Sequence, residues 1–280
     1  MKIFGIVGTG TMGTDIAHIA AEAGFEVFMY DIDQTQSRNA FNTIQDRFNR
    51  YVQQGRVPKE RVGEITTRIK FFPHMKNLCK ADIVIESVSE DLATKKQVFR
   101  ELDATCKADA VLATNTSSIS VTAIASATKR PESVIGIHFL IPARTMNLVE
   151  IISGLSTTRE TFEMTRQAVK KLGKKHVEAR DFPGFLVNRM LMPMINESIQ
   201  LLYEGAAPAE TIDKVMTQGL HQPMGPLALA DMIGLDVILA VLEEMYRGYG
   251  DPKYRPCPLL RQYISAGWLG EKTGRGFYIY

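Results

Sequence analysis

Lys2-Ile3-Phe4-Gly5-Ile6-Val7-Gly8-Thr9-Gly10-Thr11-Met12-Gly13 begins a stretch that runs to Asp31 and decides the fold. Ile3 to Val7 is a short apolar run. Gly8, Gly10 and Gly13 turn the chain, and Thr14 to Ala23 has the period of a helix. Gly24 breaks that helix, and Phe25 to Tyr30 is a second apolar run ending at Asp31. Strand, glycine turn, helix, strand and acid in this order form a dinucleotide-binding βαβ unit. Each glycine has a mechanical task in that reading. Gly8 permits the tight turn, a side chain at Gly10 would hold the backbone off a pyrophosphate, and Gly13 lets the helix pack close on the sheet. Thr9, Thr11 and Met12 complete the loop. The pyrophosphate would sit on the free N–H groups of the helix N-terminus, where the dipole favours negative charge. Asp31 stands where the adenine ribose should lie. Its carboxylate would accept from both ribose hydroxyls and repel a 2′-phosphate, and no arginine follows it directly, so NAD is expected over NADP. The plainer alternative is a glycine turn with no ligand, and the flanking strand, helix and acid argue against it.

Working outward from this unit, strand and helix patterns alternate as in an α/β protein with a mostly parallel sheet. Thr35 to Gln54 is a long polar helix with Phe41, Ile44, Phe48 and Val52 on one stripe. Its Arg47 and Arg50, with Arg56 beyond, could meet an anionic ligand or form a solvated basic face. Strands are expected at Arg68–Phe72, Ala81–Glu86 and Ala110–Ala113, with a helix from Asp91 to Cys106 between the last two. The second strand ends in Ser87-Val88-Ser89-Glu90. Ligands collect at such strand ends, so Glu90 is a candidate cofactor contact. The third runs into Thr114-Asn115-Thr116-Ser117-Ser118. These residues could serve a ligand or cap a helix starting near Ile119. Ser118 suits the cap, and Asn115 and Ser117 are freer for chemistry.

Val134 to Ile137 is a strand that delivers His138, and Leu148 to Ile152 delivers Glu150. A histidine and a carboxylate on neighbouring strands can be a base and its orienter, or a core histidine bonded to a strand-end acid, and spacing alone leaves both open. Thr158 to Leu172 is a helix and His176 to Ala179 the last strand. Arg180 to Phe185 then marks a boundary, which divides the chain into a Rossmann-type domain over residues 1–181 and an all-α domain over 182–280. In the second, Leu186–Glu204, Ala209–Gln218, Leu227–Tyr246 and Leu259–Ala266 read as helices. Their high apolar content suggests burial against a second copy, hence a homodimer or a higher oligomer.

Composition bounds the function. The 280 residues are 45% hydrophobic and carry a net charge of +2, so a sizeable core is affordable and neither nucleic acid nor membrane is an expected partner. There is no spanning apolar run, Met1 leads directly into the first strand, and Cys79, Cys106 and Cys257 are few and far apart. These features point to a cytoplasmic protein with reduced thiols and no metal site.

Several motifs in fixed order make the whole chain similar to the 3-hydroxyacyl-CoA dehydrogenases. They are Val7 to Gly13, Thr114 to Ile119, His138-Phe139 with Leu148-Val149-Glu150, and Pro183-Gly184-Phe185-Leu186-Val187-Asn188-Arg189. Pro223 to Pro226, Asp231, Gly234 to Asp236 and the closing Lys272 to Tyr278 follow. The length resembles the bacterial branch that acts on 3-hydroxybutyryl-CoA. The resemblance implies oxidation of a short-chain 3-hydroxyacyl-CoA by NAD, in fatty acid or butyrate metabolism. By position it implies His138 as catalytic base and Glu150 as its partner. It implies Ser117 and Asn188 as holders of the substrate oxygens, and Glu90, Lys95, Asn115, Ser117 and Lys272 as cofactor contacts beside Asp31 and the glycine loop. The chain departs from the family in reading Leu140-Ile141-Pro142 where Phe-Asn-Pro is usual, and in the polar run Ala143 to Asn147. The serine and lysine that some members use for CoA are not recognisable; the matching region has Arg47 and Gln54. These departures bear on the nicotinamide, CoA and acyl contacts and leave the His–Glu pair intact. Two rivals follow: an NAD-dependent dehydrogenase of a free sugar acid, of the gulonate type, which the altered loop favours, and a non-catalytic dinucleotide-binding protein.

Overall fold

Eight strands form one sheet in the first unit of the chain, Met1–Asp181. They are β1 (Ile3–Val7), β2 (Glu26–Tyr30), β3 (Ile69–Phe72), β4 (Ile83–Glu86), β5 (Val111–Thr114), β6 (Val134–Phe139), β7 (Leu148–Ser153) and β8 (Lys175–Arg180). The computed structural model describes residues 1–280. The strand order is β3-β2-β1-β4-β5-β6-β7-β8, parallel throughout except for the antiparallel β6–β7 pair. Every residue of β4 and β5 is buried, as expected of parallel strands covered on both faces. The cover comes from α1 (Thr11–Glu22), α2 (Gln34–Gln53), α3 (Lys59–Thr67), α4 (Leu92–Thr105), α5 (Val121–Ala125) and α6 (Arg159–Lys171). Phe4, Ile6, Ile16, Phe25, Ile44, Phe48 and Ile83 meet in the core between sheet and helices.

Two local readings are corrected. β6 continues through His138 and Phe139, because the ladder with β7 pairs them with Glu150 and Val149. The helix expected from Ile119 begins instead at Val121, and its cap is Ser120, not Ser118. The amides of Ser117, Ser118 and Ile119 are already bonded to Glu90 and Thr116 side chains, so the chain there is held in a turn and cannot enter the helix.

The second unit, Phe182–Tyr280, is helical. It contains α7 (Val187–Tyr203), α8 (Ala209–Lys214) running into a π-helical turn at Val215–Gly219, α9 (Pro226–Ile233), α10 (Leu235–Tyr249) and α11 (Pro258–Ser265). Ile195, Ile199, Leu227, Leu235, Ile238, Leu242, Met245 and Leu260 form its core. The single helix expected over Leu227–Tyr246 is two helices. Gly234 takes φ 104°, which a right-handed helix cannot contain, and the chain turns there between α9 and α10. Buried Asp213 accepts from the Leu227 and Ala228 amides at the start of α9, while buried Asp231 accepts from Phe277 and Tyr278 and so ties down the C-terminal segment.

Candidate active site

Strand order reverses between β1 and β4, and the chain leaves both strands at the same end of the sheet. The crevice outside the carboxyl ends at such a point is where open α/β sheets bind ligands. Here it is a cavity of about 760 Å³, with Gly8, Gly10, Asp31, Gln36, Ser87 and Ser89 in its wall. Gly8 has φ 90°, and a Cβ there would lie 2.5 Å from the Ser87 carbonyl oxygen. A Cβ on Gly13 would lie 1.9 Å from the Gly8 carbonyl, so the close approach that needs this glycine is to the turn itself. Gly10 is different: nothing lies within 4 Å of the position of its Cβ. The protein's own packing makes no demand for glycine there, whereas a bound phosphate would. Gly10 also precedes α1, which has no side-chain cap and no acid in its first turn, so its N-terminal amides suit a pyrophosphate. The cradle fits a dinucleotide.

Asp31 also has partners within the protein. Its Oδ2 accepts from the Thr9 amide at 2.7 Å and the Thr9 hydroxyl at 3.0 Å, and its Oδ1 accepts from the Asp33 amide at 3.0 Å. A carboxylate offers about four lone-pair positions, so these donors leave it able to accept from a ribose as well. Asp31 therefore also braces the glycine loop.

His138 and Glu150 stand directly opposite each other in the β6–β7 ladder, which puts their side chains on one face. His138 Nδ1 is 2.6 Å from Glu150 Oε2. Glu150 has no exposed surface and His138 retains 7%. A carboxylate at that distance in a buried setting accepts a hydrogen bond from Nδ1–H, so the lone pair belongs to Nε2. Asn115, at the end of β5, accepts from the Phe139 amide at 3.1 Å and so sits beside the histidine strand.

Glu90 organises the neighbouring loop. Its Oε1 accepts from the Ser117 amide at 3.0 Å, the Ser118 amide at 3.2 Å and the Thr116 hydroxyl. Burial works against its charge, but Lys95 and these donors outweigh burial and hold its carboxyl below the usual value. Lys95 is 1% exposed, and its ammonium lies between Glu86, at 2.7 Å, and Glu90, at 3.2 Å. Glu86 escaped the sequence reading. The signal was an acid closing the apolar run Ile83-Val84-Ile85, with a lysine nine residues on. In the helical unit, Asn188 is buried in the first turn of α7. Lys272 is half-exposed in a short turn and pairs with Asp236.

The segment between β6 and β7 is tied down by charge. Lys174 donates to the carbonyls of Ala143, Arg144 and Met146 at 2.8–3.2 Å. Arg144 reaches buried Asp15 at 3.3 Å and the Tyr51 hydroxyl at 2.9 Å, and Arg47 reaches the same Asp15 at 2.8 Å. Arg47 is therefore not part of a solvated basic face, since its guanidinium pairs with buried Asp15. Arg50 and Arg56 are exposed.

Comparison with known proteins agrees with the geometry. Residues 4–182 match the family model described as 3-hydroxyacyl-CoA dehydrogenase, NAD binding domain, and residues 184–280 match the C-terminal domain of the same family. A probable 3-hydroxybutyryl-CoA dehydrogenase of Bacillus subtilis is 47% identical over 98% of this chain and 96% of its own. A 3-hydroxybutyryl-CoA dehydrogenase of Clostridioides difficile is 42% identical over 98% of each. The crystal structure of (S)-3-hydroxybutyryl-CoA dehydrogenase from Ralstonia eutropha superposes with a TM-score of 0.97 at 42% identity, covering 100% of this chain and 99% of that one.

Proposed function

The chain belongs to the 3-hydroxyacyl-CoA dehydrogenase family, and we propose that it interconverts 3-hydroxybutyryl-CoA, or a similar short-chain 3-hydroxyacyl-CoA, with its 3-oxoacyl-CoA using NAD. The observation that carries this reading is the 2.6 Å contact between His138 and buried Glu150. NAD, when bound, supplies the hydride acceptor. His138 takes the proton of the 3-hydroxyl through Nε2 and returns it in the reverse direction. Glu150 keeps the ring in that tautomer and stabilises the imidazolium that forms. Ser117 and Asn188 hold the substrate oxygens and so fix the reacting geometry. The loop Gly8 to Gly13, with Asp31, Glu90, Lys95, Asn115, Ser117 and Lys272, holds the cofactor. Three free thiols and the absence of a helix long and apolar enough to cross a membrane support a cytoplasmic setting. Fatty acid or butyrate metabolism is the corresponding pathway class. Met190, Val215 and Leu220, all more than half exposed on the helical unit, support a homodimer or a higher oligomer.

The test is NADH consumption with acetoacetyl-CoA, free acetoacetate and a sugar acid in parallel. Turnover should require the CoA ester. The variant His138→Gln, folded, should lose about two to four orders of magnitude in kcat, the usual share of a general acid–base. Near-normal turnover by that variant would remove His138 from the mechanism, and a preference for the free sugar acid would replace the substrate.

A further inference from the structure

Glu86 is a fully buried acid beside the cofactor crevice, and the mechanism above gives it no task. It closes β4, with no exposed surface. Its Oε1 accepts from the Val88 amide and from Lys95 Nζ, both at 2.7 Å, and its Oε2 accepts from the Thr114 hydroxyl at 2.7 Å. Three elements therefore converge on one carboxylate: the Ser87–Glu90 loop, α4 through Lys95, and the end of β5 through Thr114. Ser87, Val88 and Ser89 line the nucleotide cavity. Lys95 carries the connection onward to Glu90, and Glu90 holds Thr116, Ser117 and Ser118.

We propose that Glu86 is a positioning residue that acts through Lys95 and Glu90 to set the Ser117 loop, and through Val88 to set one wall of the cofactor cavity. A packing role alone would be met by an apolar side chain, which removes the cost of burying the charges. What the charged chain adds is direction. Lys95 has two acceptors in fixed places, and Glu90 in turn accepts from successive groups of a loop that has no helix or strand of its own. A neutral residue at Glu86 leaves the Lys95 ammonium to Glu90 alone, which frees it to shift and to carry the Ser117 amide with it. The task of Ser117 in this inference rests on the function proposed above; the cavity wall does not.

The experiment compares Glu86→Gln, Glu90→Gln and the double variant, with thermal melting to verify folding. Two quantities are read: kcat and KM for acetoacetyl-CoA, and the Kd of NADH from its fluorescence. Glu86→Gln should lower kcat about tenfold to a hundredfold, the scale of a misplaced reacting group, and weaken NADH severalfold. Because the two acids act in series on the Ser117 loop, kcat of the double variant at saturating NADH should be no worse than that of the worse single, within about twofold. A folded Glu86→Gln with the wild-type kcat and NADH Kd, or kcat losses that multiply in the double variant, would overturn the proposal. Should Glu86→Gln fail to fold, Lys95→Met serves in its place and must reproduce the kinetics of Glu90→Gln; unaltered kinetics would overturn it. If the wild type does not turn over acetoacetyl-CoA, the proposed reaction fails, and the NADH affinities of the variants still decide the inference.

Discussion

Gly10 and Gly13 lie three residues apart in the same loop, and their surroundings assign them different reasons to be glycine. Gly10 has extended backbone angles that any residue can adopt and open space around its Cβ position. Gly13 faces a backbone oxygen. Gly10→Ala should therefore keep its stability within about 0.5 kcal/mol, as surface substitutions do. Its KM for NAD should nevertheless rise at least tenfold, since the added methyl group stands where the phosphates approach. Gly13→Ala should cost about 1–3 kcal/mol in urea unfolding, through forced displacement of the turn. An unchanged KM in Gly10→Ala would move the pyrophosphate elsewhere.

His18 offers a second test at this scale. It is 2% exposed, stacked on Phe48 at 4.3 Å, and its Nδ1 has no hydrogen-bond partner. Burial first, then the charges of Arg144 and Arg47, bring its pKa down to about 3. The unfolded chain protonates this ring near pH 6.5, so between there and about 3 the unfolded state holds one proton more. The contribution of neutral His18 is complete above pH 6.5 and is lost as the pH falls through that window, by up to about 1.4 kcal/mol per pH unit. Urea unfolding of the wild type and His18→Phe at pH 7, 6 and 5 should show a steeper loss in the wild type. Parallel curves would mean that the ring is protonated in the fold.

Among the elements, the turn into α5 shows how a short helix is placed from outside its own sequence. Asp181 accepts from the Ser120 hydroxyl at 2.7 Å and from the Val121 and Thr122 amides at 2.9 and 2.7 Å. Those bonds fix where α5 starts, and they come from a residue about sixty positions further along the chain. Local cues named Ser118 because it is a good capping residue, and no local cue could rank it against a distant carboxylate. Asp181→Ala should cost about 1–2 kcal/mol, the upper range of a lost cap, with the urea m-value unchanged. A loss below about 0.5 kcal/mol would show that the Ser120 hydroxyl suffices. The break at Gly234 has a different origin: a glycine inside a helical pattern can be tolerated or can end the helix, and only φ reveals which.

For the whole molecule, the proposed assembly is the quantity to measure. Met190 on α7 is 77% exposed and Leu220 65%. Sedimentation should give at least twice the mass of one chain, and Met190→Glu should shift it towards the monomer. A monomeric wild type would leave these apolar side chains to some other partner.

What the sequence determined by itself was the class of the fold and the cofactor: alternation of period-two and period-3.6 patterns, a glycine turn between strand and helix, and an acid after the second strand are local features, and local features are written in neighbouring residues. It also put His138 and Glu150 on successive strands, while leaving open what they do to each other. The tertiary structure decided everything that depends on which distant groups meet. It put the imidazole nitrogen against the carboxylate, bound Asp31 to the amide and hydroxyl of Thr9, turned Arg47 inward to Asp15, and linked Glu86 through Lys95 to Glu90. The physical reason is range. Backbone preference and hydrophobic period act over a few residues, whereas a buried charge takes its partner from wherever the folded chain brings one.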